Sequence, residues 1–206
     1  MAPATLDFWF EFSSTYSYPA TMRIDAVAAQ AGVAVRLRPF LLGPIFQAQG
    51  WGTSPFNLYP AKGRYMWRDL ERICADLALP FRRPAVFPQS GLLAARVALA
   101  GLQRPSGQAA WVEDFCRAVY RVQFAEGHRI DQPETIIDIL SELKVDAEQI
   151  VAEAHTTEIK DRLRAQTTEA QLLNIFGSPT FITSDAEMFW GNDRLENAFA
   201  WAKRTS

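Results

Sequence analysis

The chain has 206 residues, 49% of them hydrophobic and 12% aromatic, and a formal net charge of -2. That length suits one domain, or one domain with a large insertion, and the apolar content is ample for a core without staples. The charge balance gives no electrostatic reason for nucleic acid or an anionic membrane as partner.

Residues 5–12 read as a strand, nearly continuous in apolarity, as expected where both faces are buried. Residues 18–31 follow with helical periodicity, Met22, Ile24, Val27 and Ala28 forming an apolar stripe and Gly32 the stop. Residues 33–39 alternate like a second strand. The three make a β-α-β unit, for which parallel pairing with a right-handed crossover is the default. Residues 40–63 are punctuated by Gly and Pro and read as irregular. Helical segments follow at about 62–78, 90–101, 106–126, 133–143, 146–153 and 155–174. The end returns to β: strands at 180–183 and 187–190 joined at Ser184–Asp185 as an antiparallel hairpin, then a helix at about 194–203. Asp193 with Glu196 fits a capping box there. This order predicts an α/β, thioredoxin-like core (β-α-β … β-β-α) of residues 1–42 and 172–206, with an all-helical insertion at 43–171.

Four stretches are candidates for chemistry. Ser14-Thr15-Tyr16-Ser17 lies between the first strand and the first helix, where hydroxyls cap orphan N–H groups and a helix N-terminus favours anions. In a thioredoxin-type fold a redox CxxC occupies this place; here it is Ser14-x-x-Ser17, so thiol chemistry must come from a ligand. Pro19 is tolerated only in a first helical turn, which puts the helix start near Ser17 and leaves Ser14 in the preceding loop. Gly177-Ser178-Pro179-Thr180 stands at a strand entrance, where a cis-proline would present the Ser178 backbone to a peptide-like ligand. Asn192 and Asp193 open the last helix as caps or as ligands for an ammonium or carboxylate. Lys62 opens another helix against its dipole, solvated or aimed at a ligand carboxylate. Arg64, Arg68 and Arg72 read as one solvated face.

Other residue types point to less. Cys74 and Cys116 match no CxxC or metal spacing and read as buried structural thiols. His128 and His155 are isolated, and no metal site is expected. "MAPATLDFWF" lacks the pattern of a secretory signal, and no run approaches the roughly 18 apolar residues of a membrane span, so a soluble cytoplasmic protein is expected.

The chain resembles the kappa-class glutathione transferase and 2-hydroxychromene-2-carboxylate isomerase family. Four anchors carry the resemblance, in order: "FEFSSTYSY", "LRPFLLGPIF…PAKGRYMWRDL", "FGSPTF" and "MFWGNDRLE". It implies a DsbA-like fold, glutathione as cofactor bound across the two parts, and a homodimer. It implies that Ser14 hydrogen-bonds the glutathione sulfur, with Thr15 and Tyr16 beside it. Ser178, before the cis-proline Pro179, would pair its backbone with the cysteinyl part. Asn192 and Asp193 would hold the γ-glutamyl end, and Lys62 would lie near the glycine carboxylate. Trp51 falls where some members place a contacting asparagine. Phe12, Trp51, Phe56, Tyr59 and Trp67 are candidates for an aromatic substrate's pocket. Thr15, Pro19 and Ser178 depart from the family's usual proline, leucine and apolar residue, which points to a subgroup with a different substrate.

The implied reaction is isomerisation. Glutathione thiolate adds to an unsaturated carbon, the ring opens, a bond that has become single rotates, and elimination returns the thiol. Conjugation or peroxide reduction at the same site is the first rival. A thiol–disulfide oxidoreductase is disfavoured by the missing cysteines, and a non-catalytic thiol-peptide binding module is the rival of another class.

Overall fold

The computed structural model describes residues 4–105 and 107–204. The first three residues of the stretch tested for a signal, Ser106 at the start of one predicted helix and the last two residues of the predicted core lie outside them. Strand β1 (Thr5–Phe10), helix α1 (Ser17–Ala31) and strand β2 (Ala34–Pro39) form the expected unit, with β1 and β2 parallel. Gly32 ends α1 in the left-handed conformation, φ 67°, and its amide caps the Ala28 and Ala29 carbonyls. Strand β3 (Thr180–Thr183) lies antiparallel to β1, and β4 (Met188–Trp190) antiparallel to β3. The sheet order is β2-β1-β3-β4, the mixed sheet of a thioredoxin-type core.

Helices fill the stretch between β2 and β3: α2 (Leu42–Ala48), α3 (Pro55–Leu58), α4 (Pro60–Asp76), α5 (Leu92–Leu102), α6 (Trp111–Phe124), α7 (Pro133–Glu142), α8 (Ala147–Ala154) and α9 (Thr157–Leu172). Residues 40–63 are therefore not irregular throughout. Pro55 and Pro60 each open a helix, where the missing N–H costs nothing. The chain closes with a single 3-10 turn (Asn192–Arg194) and α10 (Leu195–Ala202). Among the described residues no helix is long and apolar enough to cross a membrane.

Strand β1 is buried on both faces, as its sequence demands. Leu6, Phe8 and Phe10 enter one cluster with residues of α1, α5, α6 and α10. Trp9 points the other way, into a cluster with Phe40, Ile45, Ala170 and Ile182. The alternation is the period-2 rule of a strand. An aromatic ladder runs from Phe181 through Phe8 and Phe10 to Phe12 at centroid spacings of 5.4, 5.0 and 5.4 Å. It fixes the strand's carboxyl end, from which the site hangs.

Candidate functional site

After Phe10 the chain turns. The Ser14 amide donates to the Glu11 carbonyl (2.9 Å) and the Tyr18 amide to the Thr15 carbonyl (3.3 Å). Pro19 falls in the first turn of α1 and Ser14 stays in the loop, as expected. The Ser14 hydroxyl donates to the Ser178 carbonyl at 2.8 Å, and the Ser178–Pro179 bond is cis. The two serine motifs, separated by most of the chain, thus meet directly.

Ser178 differs from its expected part. Besides its backbone, its buried hydroxyl is engaged: it accepts from the Glu11 amide at 3.0 Å and lies 2.7 Å from the Ser17 hydroxyl. Ser17 is consequently not a cap, and α1 begins with no side-chain cap at all. Buried hydroxyls take the partner within reach, and here each is the other's.

Beside this junction lies a cavity of about 820 Å³, within the roughly 300–1,000 Å³ of small-molecule sites. Ser14, Thr15, Tyr16, Lys62, Ser178, Trp51 and Phe56 line it. Thr15 is buried, and Tyr16 donates from its hydroxyl to Asp69 of α4 at 3.1 Å. Lys62 is exposed, its Nζ 4.9 Å from the centre of the Tyr59 ring. Arg64, Arg68 and Arg72 lie on the solvated face; Arg68 pairs with Glu71 and Arg72 with Asp69.

Six predicted residues are not in the cavity wall. Phe12 is fully buried in the core, packed on Phe115 and Tyr120 of α6. Trp67 packs edge-on against Phe87 at 4.8 Å and stacks under Arg83, lining a smaller separate hollow. Tyr59 is at the surface at the start of α4. Pro179 turns its carbonyl to the Gly191 amide. Asn192 is held by Arg23 of α1, which donates to its side-chain oxygen at 3.0 Å and to Glu196 at 2.5 Å. Asp193 is exposed, and its carboxylate turns back to Gly191. The capping box does not form, because the 3-10 turn separates Asp193 from the α10 start and Arg23 occupies Glu196.

The wall also holds residues that sequence reasoning passed over. Phe176 and Trp190, 5.2 Å apart and half-exposed, form an aromatic rim. They lie within the "FGSPTF" and "MFWGNDRLE" anchors, and that membership was the available signal. The Trp190 indole lies over Gly177, where any Cβ would collide with it. Phe87 comes from the connection before α5, and Glu11 and Ser13 from the first motif itself.

Glu11 is 7% exposed, and the Ser13 hydroxyl donates to its Oε2. Burial pushes its carboxyl from 4.5 up to about 7, against the opposing pull of the Ser13 hydrogen bonds. The folded protein therefore keeps this proton while the unfolded chain has lost it. Its effect on stability is absent below pH 4.5, where both states are protonated, and grows as pH rises to about 7. By pH 8 the wild type should have lost about 3 kcal/mol through this group. Urea unfolding at pH 5 and 8 checks this: Glu11→Gln should gain about 2–3 kcal/mol of stability relative to wild type between the two pH values.

Cys74 and Cys116 are free and buried. Burial raises Cys74 to about 11 and Cys116 still further above its ordinary value. Neither is a reactive thiol.

Fold and site together define a thioredoxin-type protein whose redox-motif position carries serines. The DSBA-like thioredoxin domain matches residues 5–199. A 2-hydroxychromene-2-carboxylate isomerase of Pseudomonas sp. (strain C18) is 31% identical over 204 residues, 96% of this chain and 91% of that protein. Human glutathione S-transferase kappa 1 is 24% identical over 94% of this chain and 88% of that protein. A solved structure of 2-hydroxychromene-2-carboxylate isomerase superposes with a TM-score of 0.81 at 25% identity, covering 98% of this chain and 95% of that one. The chain belongs to the DsbA-like thioredoxin family, in the branch of the 2-hydroxychromene-2-carboxylate isomerases and kappa-class glutathione transferases. Its relatives are enzymes, isomerases and transferases, in agreement with the enzyme class expected from the sequence.

Proposed function

We propose that the chain is a glutathione-dependent isomerase of the 2-hydroxychromene-2-carboxylate type. It interconverts an aromatic hemiketal and its ring-opened benzylidenepyruvate by reversible addition of glutathione thiolate. The observation that carries this reading is the contact between Ser14 and the Ser178 carbonyl at the edge of a large aromatic-rimmed cavity. In this structure each satisfies the other. A glutathione cysteinyl group supplies both replacements: its amide N–H to the Ser178 carbonyl and its sulfur to the Ser14 hydroxyl. A hydroxyl donating to sulfur favours the thiolate over the thiol.

Thr15 and Tyr16 line the sulfur end at the uncapped start of α1, whose N–H groups favour negative charge. Lys62 stands in the wall for the glycine carboxylate. Asn192 and Asp193 reach the γ-glutamyl end only if Asn192 leaves Arg23, so their part is the least direct. Trp51 and Phe56 with the Phe176–Trp190 rim suit a flat aromatic substrate. The protein would act in the cytoplasm as a homodimer, binding glutathione between the core of residues 1–42 and 172–206 and the helical insertion.

Calorimetry with millimolar glutathione tests the site, and an assay on 2-hydroxychromene-2-carboxylate tests the reaction. The expected result is saturable binding and conversion that leaves glutathione unconsumed. Depletion of glutathione would mark a transferase at the same site. Absence of binding would leave a non-catalytic module and sink the proposal.

A further inference from the structure

Thiolate chemistry requires a group that accepts the thiol proton and returns it. The residues assigned above do not supply one. A serine hydroxyl holds its own proton at neutral pH. Burial and the Asp69 carboxylate push the Tyr16 phenol well above its ordinary value.

Among the described residues that line the cavity, Glu11 alone carries a carboxyl. Its backbone is fixed by three bonds: the amide donates to the Ser178 hydroxyl at 3.0 Å, and the carbonyl accepts from the Tyr120 hydroxyl and the Ser14 amide, both at 2.9 Å. The side chain takes no part in that anchoring. Its Oε2 accepts from Ser13, while Gly91, before α5, approaches Oε1 so closely that a Cβ there would stand 3.3 Å away. Among the described residues no cation forms an ion pair with it, and its ionisation is governed by its own burial, opposed by the Ser13 hydrogen bonds. Facing it, α6 brings the Tyr120 phenol, held protonated by burial, and the β3 entrance brings the Ser178 hydroxyl. Tyr16 and Lys62 are the other titratable groups of the wall. A buried carboxyl without a cationic partner is costly to a fold. A structural role would be served as well by an amide.

Resting on the glutathione reading above, we propose that Glu11 is the proton carrier of the site. The S–H bond breaks and its proton passes to the Glu11 carboxylate. The thiolate forms a C–S bond to the unsaturated carbon, the displaced π pair forms the enol double bond, and the ring C–O bond breaks with its pair leaving on the phenolic oxygen. Glu11 protonates that oxygen, giving a ring-opened enol and its own carboxylate. After rotation Glu11 takes the enol proton, the carbonyl and the carbon–carbon double bond re-form, the C–S pair leaves on sulfur, and the thiolate recovers its proton from Glu11. Nothing is oxidised or reduced. Because its carboxyl titrates near 7, Glu11 is matched to carry protons at neutral pH.

The experiment compares wild type, Glu11→Gln and Glu11→Asp at pH 8. Glutathione binding is followed by thiolate ultraviolet absorbance, and released protons are counted by calorimetry in buffers of different ionisation enthalpy. Wild type should form thiolate while releasing well under one proton, since the negative charge of the bound thiolate raises the Glu11 carboxyl further and Glu11 keeps the proton. Glu11→Gln should either release about one proton per thiolate formed or form none, and Glu11→Asp should restore the wild-type pattern in part. On a chromene substrate, Glu11→Gln should lower kcat roughly 10²–10⁴-fold and remove the pH limb near 7. Thiolate and proton counts in Glu11→Gln equal to wild type would overturn the inference alone. Wild type that binds no glutathione would overturn the functional reading, and the inference with it. Should Glu11→Gln fail to fold, the wild-type carboxylic-acid infrared band decides: it should grow on glutathione addition, and an unchanged band refutes the role.

Discussion

Phe12→Ala is expected to lower the stability of the fold by about 3–5 kcal/mol, close to the whole margin of many domains of this size. The ring is fully buried, edge-on to Phe10 at 5.4 Å and to Phe115 at 6.2 Å, and tilted over Tyr120 at 5.4 Å. Gly91 lies so close that its missing Cβ would come within 2.8 Å of the Phe12 Cβ. Neighbours packed this tightly do not collapse freely into the space the ring leaves, so the cavity cost adds to the lost burial. Urea unfolding at pH 6 measures it. A pocket-lining Phe12 would give the opposite pattern: near-normal stability and weakened substrate binding. Trp51→Ala, in the cavity wall and only partly buried, should show that second pattern. If Phe12→Ala unfolds at the wild-type midpoint, the placement of Phe12 in the core is wrong.

The same residue shows how far local sequence carries. Strand β1 was readable because a nearly continuous, aromatic-rich apolar run of this length suits a strand buried on both faces. The parallel β1–β2 pair, the β3–β4 hairpin and the start of α1 followed from spacing, Gly32 and Pro19. A local pattern does not say which neighbour arrives from far along the chain. Phe12 and Glu11 are adjacent in a motif, yet α6 closes over one and the cavity opens beside the other. Glu11 reads in the sequence as an ordinary strand-end polar residue. Only burial by distant elements gives it a carboxyl that titrates near neutrality. Helices α2 and α3 were hidden because a proline in the first turn of a short helix, Pro44 in one and Pro55 in the other, looks like loop punctuation. The Asp193–Glu196 pattern failed for a tertiary reason, since Arg23 of α1 takes Glu196 and Asn192. Ser14 and Ser178 were both legible as site candidates, but not their direct hydrogen bond, which depends on β3 lying beside β1.

That bond makes the consequences of Ser14→Ala separable. In the free protein the substitution removes one hydrogen bond, from the Ser14 hydroxyl to the Ser178 carbonyl at 2.8 Å. Ser14 is 9% exposed, and the stability cost should be about 1 kcal/mol, because the carbonyl borders a cavity that water can enter. In the glutathione complex the same hydroxyl would be a donor aimed at developing negative charge on sulfur. Loss of one such donor costs roughly 10²–10³-fold in turnover, about 2.7–4 kcal/mol. The expected result is therefore a folded Ser14→Ala protein, shifted little in urea, whose glutathione-dependent isomerisation has nearly vanished. The bound thiol should titrate closer to the value of about 8.5 for a free thiol, read from thiolate absorbance against pH. Ser17→Ala supplies the contrast. Ser17 does not line the cavity, and its hydroxyl meets the buried Ser178 hydroxyl, so its loss should act on stability more than on turnover. If Ser14→Ala retained wild-type turnover, the sulfur would not be at Ser14, and the resemblance of this motif to a redox site with its cysteines replaced would carry no chemistry.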